Sequence, residues 1–229
     1  MSQIDDWKIE QEDLVKRLEI YPTGKIIALP RGSIVCTLDV QYKENEAFVG
    51  MDVLDWETGV NQQFVRQESV DQPYVPGFFA FREGPVLLRA LRKLQKHLGQ
   101  WPELLIIEGH GTAHPRKMGL ASWVGVKSSL PSIGVAKDPL IRQTVELGEE
   151  QGAHEALEMN GELLGYVLRS RTDVKPIYVS AGYRISQEQA LAVIKSFLGE
   201  YRIIEPVRRA DQTARKAARG EAQMQTVYL

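Results

Sequence analysis

A chain of 229 residues suits one α/β domain, with a core that covers most of the surface exposed on unfolding. No apolar run approaches the roughly 18 residues that a membrane span needs, and the polar, acidic start argues against a secretory signal. The single cysteine, Cys36, excludes an internal disulfide and favours a reducing cytoplasm.

The net charge of −2 is unevenly distributed along the chain. Residues 1–70 carry seven Lys or Arg against 13 Asp or Glu, whereas residues 71–137 carry nine against four. This basic middle permits a phosphate-binding face on an otherwise acidic protein. A solvated basic helix face explains the same charges and, on charge alone, is the more frequent explanation.

In chain order, the hydrophobic pattern of the first half predicts a helix, a three-stranded antiparallel meander with a turn at Thr58–Gly59, and a second helix. The predicted helices cover 5–20 and 84–98, and the strands cover 34–39, 47–55 and 63–69. The second half begins with a strand–helix–strand crossover. Its predicted elements are strands 104–107 and 132–136 around helix 119–129, an acidic loop at 146–160, strands 162–168 and 176–180, a helix from Ser186 to about residue 198 with Gln189 as capping-box partner, and a C-terminal helix from Arg202 with a frayed end.

This order predicts a mixed sheet with helices on its faces, which is compatible with a ribonuclease-H-like α/β fold. We expect a single domain over residues 1–229. Within it, residues 1–30 form an N-terminal helix and arm, and residues 205–229 form a C-terminal tail.

Two acidic residues directly follow apolar runs. Asp39 follows Ile34–Leu38, and Glu108 follows Leu104–Ile107. A carboxylate beside a buried strand is costly unless it is paired or binds a cation, and ligands of α/β sheets gather at strand ends. If the two strands are neighbours, the carboxylates converge into the kind of oxygen site that Mg²⁺ prefers. Either acid alone is more simply explained as a loop or helix cap.

The segment 108–117 is dense in residues that carry chemistry. Gly109 and Gly111 follow the acid and would let backbone N–H groups approach a ligand closely. His114 and two basic residues come next, without a helical stripe or strand alternation that would explain them. This composition favours a functional site over a structural histidine.

A second dense segment runs from Pro73 to Glu83. Pro73 and Pro76 stiffen the backbone around Tyr74, and a rigid aromatic at a loop tip can wedge into a base stack. The alternative is a tyrosine packed against the protein's own surface. Glu83, at the start of the predicted second helix, is a third candidate carboxylate.

These segments resemble the endonuclease V (deoxyinosine 3′ endonuclease) family. The resemblance covers roughly residues 34–211. It is carried by the segments Pro73–Phe78 with Phe81–Glu83, Gly109–Gly111 with Ala113–Arg116 and Gly119–Ser122, Ile133–Lys137, Arg169–Ser180 and Glu205–Arg208.

The resemblance implies a ribonuclease-H-like enzyme that cleaves the second phosphodiester 3′ to a deaminated purine, with Mg²⁺ or, as a substitute, Mn²⁺. The implied acidic site is formed by Asp39, Glu83 and Glu108, with Asp39 and Glu108 as metal ligands. His114 and Lys137 would act on the scissile phosphate or the attacking water. Tyr74 would be the wedge, and the pocket for the flipped base would be bordered by Gly77, Phe79, Gly109 and Leu140. The implied partner is DNA containing deaminated bases, or RNA, bound by a monomer that contacts no membrane.

Two positions depart from the family pattern. Glu108 stands where the family usually has Asp, and Tyr183 stands where it often has His. Because Glu108 could weaken metal binding, an inosine-binding protein without catalysis is one alternative to a DNA repair nuclease. A ribonuclease acting on inosine in RNA is another, since the sequence shows no contact that would distinguish a 2′-hydroxyl.

Overall fold

The computed structural model describes residues 2–221 and 223–229, and in them helices and strands alternate in a mixed α/β order. The helices are α1 (Gln3–Lys16), α2 (Phe79–Leu98), α3 (Leu120–Ser128), α4 (Gln187–Lys195) and α5 (Glu205–Ala218). The strands are β1 (Ile34–Lys43), β2 (Glu46–Asp55), β3 (Asn61–Ser69), β4 (Leu104–Glu108), β5 (Ser132–Ala136), β6 (His154–Met159), β7 (Glu162–Leu168), β8 (Ile177–Tyr183) and β9 (Thr226–Tyr228). None of the helices in this described part is long and apolar enough to cross a membrane.

The strands form one mixed sheet in the order β6-β7-β8-β5-β4-β1-β2-β3-β9. The chain divides into two compact units, and it passes from one to the other within β4. The first unit comprises the chain up to Ile27 and Ile107–Glu205, and the second comprises Ala28–Ile106 and Pro206–Leu229.

In the second unit, β1, β2 and β3 form the predicted antiparallel meander. Strand β1 is longer than predicted, because residues 40–43 remain paired with β2 up to a tight turn that Glu44 enters at φ 56°. The prediction that Asp39 ends its strand is therefore wrong. Asp39 lies in mid-strand, opposite Gly50 of β2.

Helix α2 begins at Phe79, five residues before the predicted start. The sequence suggests a later start because Pro85 lies in the second turn, where it removes one backbone hydrogen bond. Burial of Ala80 and Phe81 holds the first turn in place. Glu83 is consequently inside the helix, and its side chain is buried.

The predicted frayed C-terminus is wrong for the last residues. Strand β9 pairs in parallel with β3, and the Leu229 N–H donates to the carbonyl of Val65 over 3.0 Å. The segment is short and has no fully buried side chain, so it has little hydrophobic pattern for a sequence argument to detect.

In the first unit, β5, β8, β7 and β6 pair antiparallel in that order. The prediction of an irregular loop over 146–160 is wrong, because residues 154–159 form the edge strand β6. Only Leu157 in this strand is fully buried, and it packs in a cluster with Ala113, Ile141, Leu164 and Val167. An edge strand with one buried side chain and two acids resembles a loop in the sequence.

The predicted cap of α4 is half confirmed. The Ser186 hydroxyl accepts a hydrogen bond from the Gln189 N–H at 3.1 Å. The Gln189 side chain does not return to Ser186 but bonds both the N–H and the carbonyl of Ile27, each at 2.9 Å. Gln189 thus fastens the N-terminal arm to the helix rather than completing a capping box.

Candidate active site

The second unit holds a pair of carboxylates on β1 and α5. Asp39 and Asp211 each offer an oxygen, and these oxygens lie within 4.8 Å of each other. Asp39 is 7% exposed and its Oδ1 accepts the Val40 N–H at 2.8 Å, whereas Asp211 is half-buried. Two carboxylates so close together repel each other in low dielectric unless a cation lies nearby.

Gly50 explains how α5 comes close enough to form this pair. A Cβ at Gly50 would lie 2.0 Å from the Ala210 carbonyl oxygen and 2.9 Å from the Ala214 nitrogen. Helix α5 therefore packs directly against the backbone of β2, opposite Asp39. Because Asp211 follows Ala210, the missing side chain at Gly50 brings Asp211 to β1.

Sequence reasoning missed Asp211. A signal was present in α5, where Val207, Ala210, Ala214 and Ala217 form a buried stripe of largely small residues. Such a stripe indicates close approach of a helix to its neighbour, and Asp211 lies at its margin. The sequence contains no indication of which strand this helix contacts.

Nitrogen donors already surround the Asp211 carboxylate. Gln41 Nε2 donates to its Oδ1 at 3.0 Å, and Arg215 Nε lies 2.8 Å from both of its oxygens. Arg215 is one helical turn along α5, so the contact is an i,i+4 ion pair. These donors fix the carboxylate orientation and offset part of its charge.

Glu83 is 6% exposed on α2 and lies near Tyr42 of β1. Burial, and then the negative charge of Glu83, raise the pKa of the Tyr42 hydroxyl well above its usual range. The phenol therefore stays protonated at every physiological pH. The guanidinium of Arg82 stacks over the Tyr42 ring, 4.5 Å from its centroid.

In the first unit, Glu108 and Lys137 form an ion pair at the ends of β4 and β5. The Glu108 side chain is 19% exposed and that of Lys137 is 38% exposed, so solvent reaches both. The structure thus joins two of the predicted site residues.

The glycines of segment 108–117 serve packing. A Cβ on Gly134 of β5 would lie 2.4 Å from the Gly111 nitrogen, and one on Gly111 would lie 2.2 Å from the Ala181 oxygen. The Gly109 N–H donates to the Val135 carbonyl and the Gly111 N–H to the Ser180 hydroxyl, both at 2.9 Å. The N–H groups of these two glycines are therefore bonded within the protein.

His114 is 6% exposed, and its Nδ1 accepts the Arg116 N–H at 3.1 Å. Burial, followed by the positive charge of Arg116 and the proximity of His110, lowers the pKa of His114 to about 4. The imidazole is therefore neutral at pH 7, with its proton on Nε2. Arg116 Nε in turn donates to the buried Gln11 of α1 at 2.7 Å. A neutral imidazole with a fixed tautomer can accept or relay a proton, but it does not act as a cation.

The predicted wedge loop lies in the second unit. Tyr74 is 61% exposed and touches the ring of Phe79 edge-on, with 6.1 Å between centroids. Gly77 adopts a φ of 80°, which turns the chain between the two aromatics. The alternative of a Tyr74 packed into the protein surface does not fit this exposure. Gly109 and Leu140, the other predicted pocket residues, belong to the first unit, where Leu140 is 51% exposed.

The fold and the carboxylate pair together define a class: mixed α/β proteins in which acidic side chains from a sheet strand and an adjacent helix can hold a divalent cation.

Comparison with known proteins narrows this class to one family. The family model described as Endonuclease V matches residues 19–212. The Endonuclease V of Nostoc punctiforme is 46% identical over 142 residues, a match that spans 62% of this chain and 62% of that relative's length. This chain belongs to the Endonuclease V family.

Solved structures of the family share the fold. The Endonuclease V of Streptomyces avermitilis superposes with a TM-score of 0.83 at 33% identity, over 96% of this chain and 95% of that one. The Endonuclease V of Ciona intestinalis was solved with a 24mer DNA containing an inosine followed by a ribo-adenosine. It superposes with a TM-score of 0.81 at 26% identity, over 95% of this chain and 98% of that one. The predicted ribonuclease-H-like mixed sheet flanked by helices is confirmed.

Proposed function

We propose that this protein is a metal-dependent endonuclease that nicks DNA at the second phosphodiester 3′ to deaminated bases such as deoxyinosine. The products would carry 3′-hydroxyl and 5′-phosphate ends. The observation that carries the proposal is the Asp39–Asp211 pair in a chain of the Endonuclease V family. The inosine-containing DNA bound by the Ciona relative supports the choice of substrate.

The donor set fits a hard divalent cation. Asp39 and Asp211 supply carboxylate oxygens, and Glu108 is the proposed third ligand because β4 is the neighbour of β1 in the sheet. Mg²⁺ is the proposed ion, with Mn²⁺ as a substitute, since both take oxygen ligands. When bound, such an ion activates water and stabilises the charge on the leaving oxygen.

The remaining polar residues have proposed roles that follow from their charge states. Lys137, paired with Glu108, is the cation for the scissile phosphate. His114, neutral at pH 7, is the group that accepts or relays a proton of the attacking water. Glu83, buried beside a protonated Tyr42, completes the acidic site from α2.

Lesion recognition is assigned to the wedge loop and the pocket. Tyr74 would enter the base stack, and the extruded base would lie among Gly77, Phe79, Gly109 and Leu140. Extrusion costs least for a mismatched base, which favours hypoxanthine over normal bases.

Tyr74→Ala should therefore weaken binding to inosine-containing duplex more than binding to undamaged duplex, as measured by fluorescence anisotropy without metal. Equal losses on both duplexes would show that Tyr74 contributes to DNA binding without selecting the lesion.

The central experiment uses labelled inosine-containing DNA and RNA oligonucleotides with Mg²⁺, Mn²⁺ or EDTA. We expect nicking of DNA with either metal and none with EDTA. Asp39→Ala should lose nicking by at least about 10³-fold while keeping the thermal unfolding transition, whereas Asp13→Ala, an exposed acid on α1, should match wild type. Unchanged metal-dependent cleavage by Asp39→Ala would remove Asp39 from the site. Preferential nicking of RNA would identify an inosine ribonuclease. Binding of the oligonucleotide without nicking would identify a binding protein.

A further inference from the structure

An open groove of about 420 Å³ runs beside the carboxylate pair within the second unit. We call it the basic groove. It is lined by residues from the end of β1, from the last turn of α5 and from the position that follows this helix: Gln41, Tyr42, Lys43, Arg215, Ala218 and Arg219. Three of these side chains are cationic and none is acidic. The proposed function leaves this groove without a role.

The basic groove begins at the proposed metal site. Gln41 and Arg215 line it, and both donate to the Asp211 carboxylate, at 3.0 and 2.8 Å. Asp211 and Arg215 lie on α5, and Arg219 directly follows the last residue of that helix. The Arg219 N–H still donates to the Arg215 carbonyl at 3.1 Å, so the three side chains, four residues apart, follow one face at steps of about 6 Å. A row of positive charge therefore leads along the helix away from the carboxylate pair.

Two of the three cations have little to bind inside the protein. Lys43 is exposed and forms no ion pair within the part of the chain that the structure describes. The partner of Arg219 is Glu221 at 3.5 Å, a long contact between side chains that are 64% and 46% exposed, and such a pair contributes little. Glu46 stands opposite Lys43 in the β1–β2 ladder, but its carboxylate accepts from the Gln67 amide. Lys43 and Arg219 are therefore free to bind an external anion.

The shape of the groove selects the kind of anion. It is shallow and open, without an enclosed apolar pocket that would bury a small molecule. A linear row of cations beside a nuclease site matches a sugar–phosphate backbone, whose charges repeat along a line. We propose that the basic groove binds the phosphates of the nucleic-acid strand that flanks the cleaved position, through Lys43 and Arg219. The assignment of the groove to the cleaved strand rests on the proposed nuclease function.

The test is the double variant Lys43→Gln/Arg219→Gln, which avoids every residue placed in the metal site. Its matched control is Arg92→Gln/Lys93→Gln, which removes the same charge from exposed positions on α2. Binding to undamaged and inosine-containing duplexes is measured by fluorescence anisotropy in EDTA, between 50 and 200 mM salt. Each lost phosphate contact lowers the slope of log K against log[salt] by roughly 0.9. We expect the groove variant to lower it by about 2 on both duplexes, and the control to leave it unchanged.

Kinetics add a second readout. At saturating inosine-containing DNA, the single-turnover rate of the groove variant should stay within about twofold of wild type, while the half-saturating concentration rises about tenfold. An unchanged salt slope in the groove variant, or an equal change in the α2 control, would refute the proposal that the basic groove binds phosphates. Because the slope is measured without cleavage, a wild type that binds but does not nick would refute the proposed function and leave this test intact. A wild type that binds neither duplex would refute both.

Discussion

At the residue scale, Glu108 has the most direct chemical consequence if the family usually has Asp at this position, as the resemblance implies. Glutamate is one methylene longer than aspartate, so the carboxylate moves or the side chain folds back; in this structure it pairs with Lys137. A displacement near ~1 Å can cost on the order of 10²-fold in rate, and Mg²⁺ demands near-ideal octahedral geometry. We expect wild type to be slow with Mg²⁺ and relatively faster with Mn²⁺.

Glu108→Asp should raise the Mg²⁺-supported rate if the local backbone matches the usual family geometry. Single-turnover cleavage of an inosine-containing duplex by both proteins in both metals measures this. A lower rate for Glu108→Asp in both metals would show that the backbone has adjusted to the longer side chain. The Lys137 contact would then be part of that adjustment.

The lowered pKa of His114 predicts that the free energy of unfolding falls at acidic pH. Its pKa is lowered to about 4 in the folded state, against about 6.5 when unfolded. The unfolded chain therefore binds a proton first, so the stabilisation is present above pH 6.5 and is lost as the pH falls from 6.5 to 4. Protonation at Nδ1 would also break the hydrogen bond from Arg116.

From this shift we expect His114 to contribute on the order of 2–3 kcal/mol to the fall in unfolding free energy between pH 7 and pH 4.5. Urea denaturation at both pH values measures that fall. In His114→Asn the decrease in unfolding free energy should be smaller by that amount. In His154→Asn, a change at an exposed position, the decrease should equal that of wild type. An equal pH dependence in wild type and His114→Asn would contradict the assignment.

At the element scale, the position of α5 depends on Gly50. Alanine there would place a Cβ 2.0 Å from the Ala210 oxygen, so the helix must move or the strand must bend. Overpacking of this kind costs about 1–3 kcal/mol. Gly50→Ala should lose that stability in urea denaturation and should also nick more slowly, because Asp211 moves with the helix.

Gly199→Ala is the control for this change, since a Cβ at Gly199 meets nothing within 4 Å. We expect it to be nearly neutral in both assays. If Gly50→Ala retained full activity despite reduced stability, close packing of α5 on β2 would not be needed to position Asp211.

At the scale of the whole molecule, the charges counted along the sequence differ from the charges that the folded structure leaves unpaired. Three cations of the basic middle segment are paired with acids outside it: Arg89 with Glu68, Lys117 with Glu162, and Lys127 with Glu10. These pairs reduce the net +5 of residues 71–137. Meanwhile Lys43, Arg215 and Arg219, which lie outside that segment, line one groove.

The wild-type protein should nevertheless show the salt dependence of a nucleic-acid binder despite its net charge of −2. Affinity for duplex DNA should fall linearly in log K against log[salt], because bound cations release counterions from phosphates. Anisotropy titrations from 50 to 200 mM salt measure the slope. A flat dependence would argue against a nucleic-acid ligand.

The sequence by itself determined the elements that bury continuous apolar surface. The β1–β3 meander, the β4–α3–β5 crossover and the leucine stripe of α2 were predicted because burial imposes a period on the residues that form them. The motif blocks of the family likewise predicted Asp39, Glu83, Glu108 and His114 as site residues.

The tertiary structure alone decided the rest. Strands β6 and β9 lie at the sheet edges, where one neighbour and few buried side chains leave little periodicity. The pairing of Asp211 with Asp39 depends on a helix approaching a strand over a glycine, between residues more than 150 positions apart in the chain. Local propensity carries no information about contacts at that separation, because packing of the core sets which elements meet.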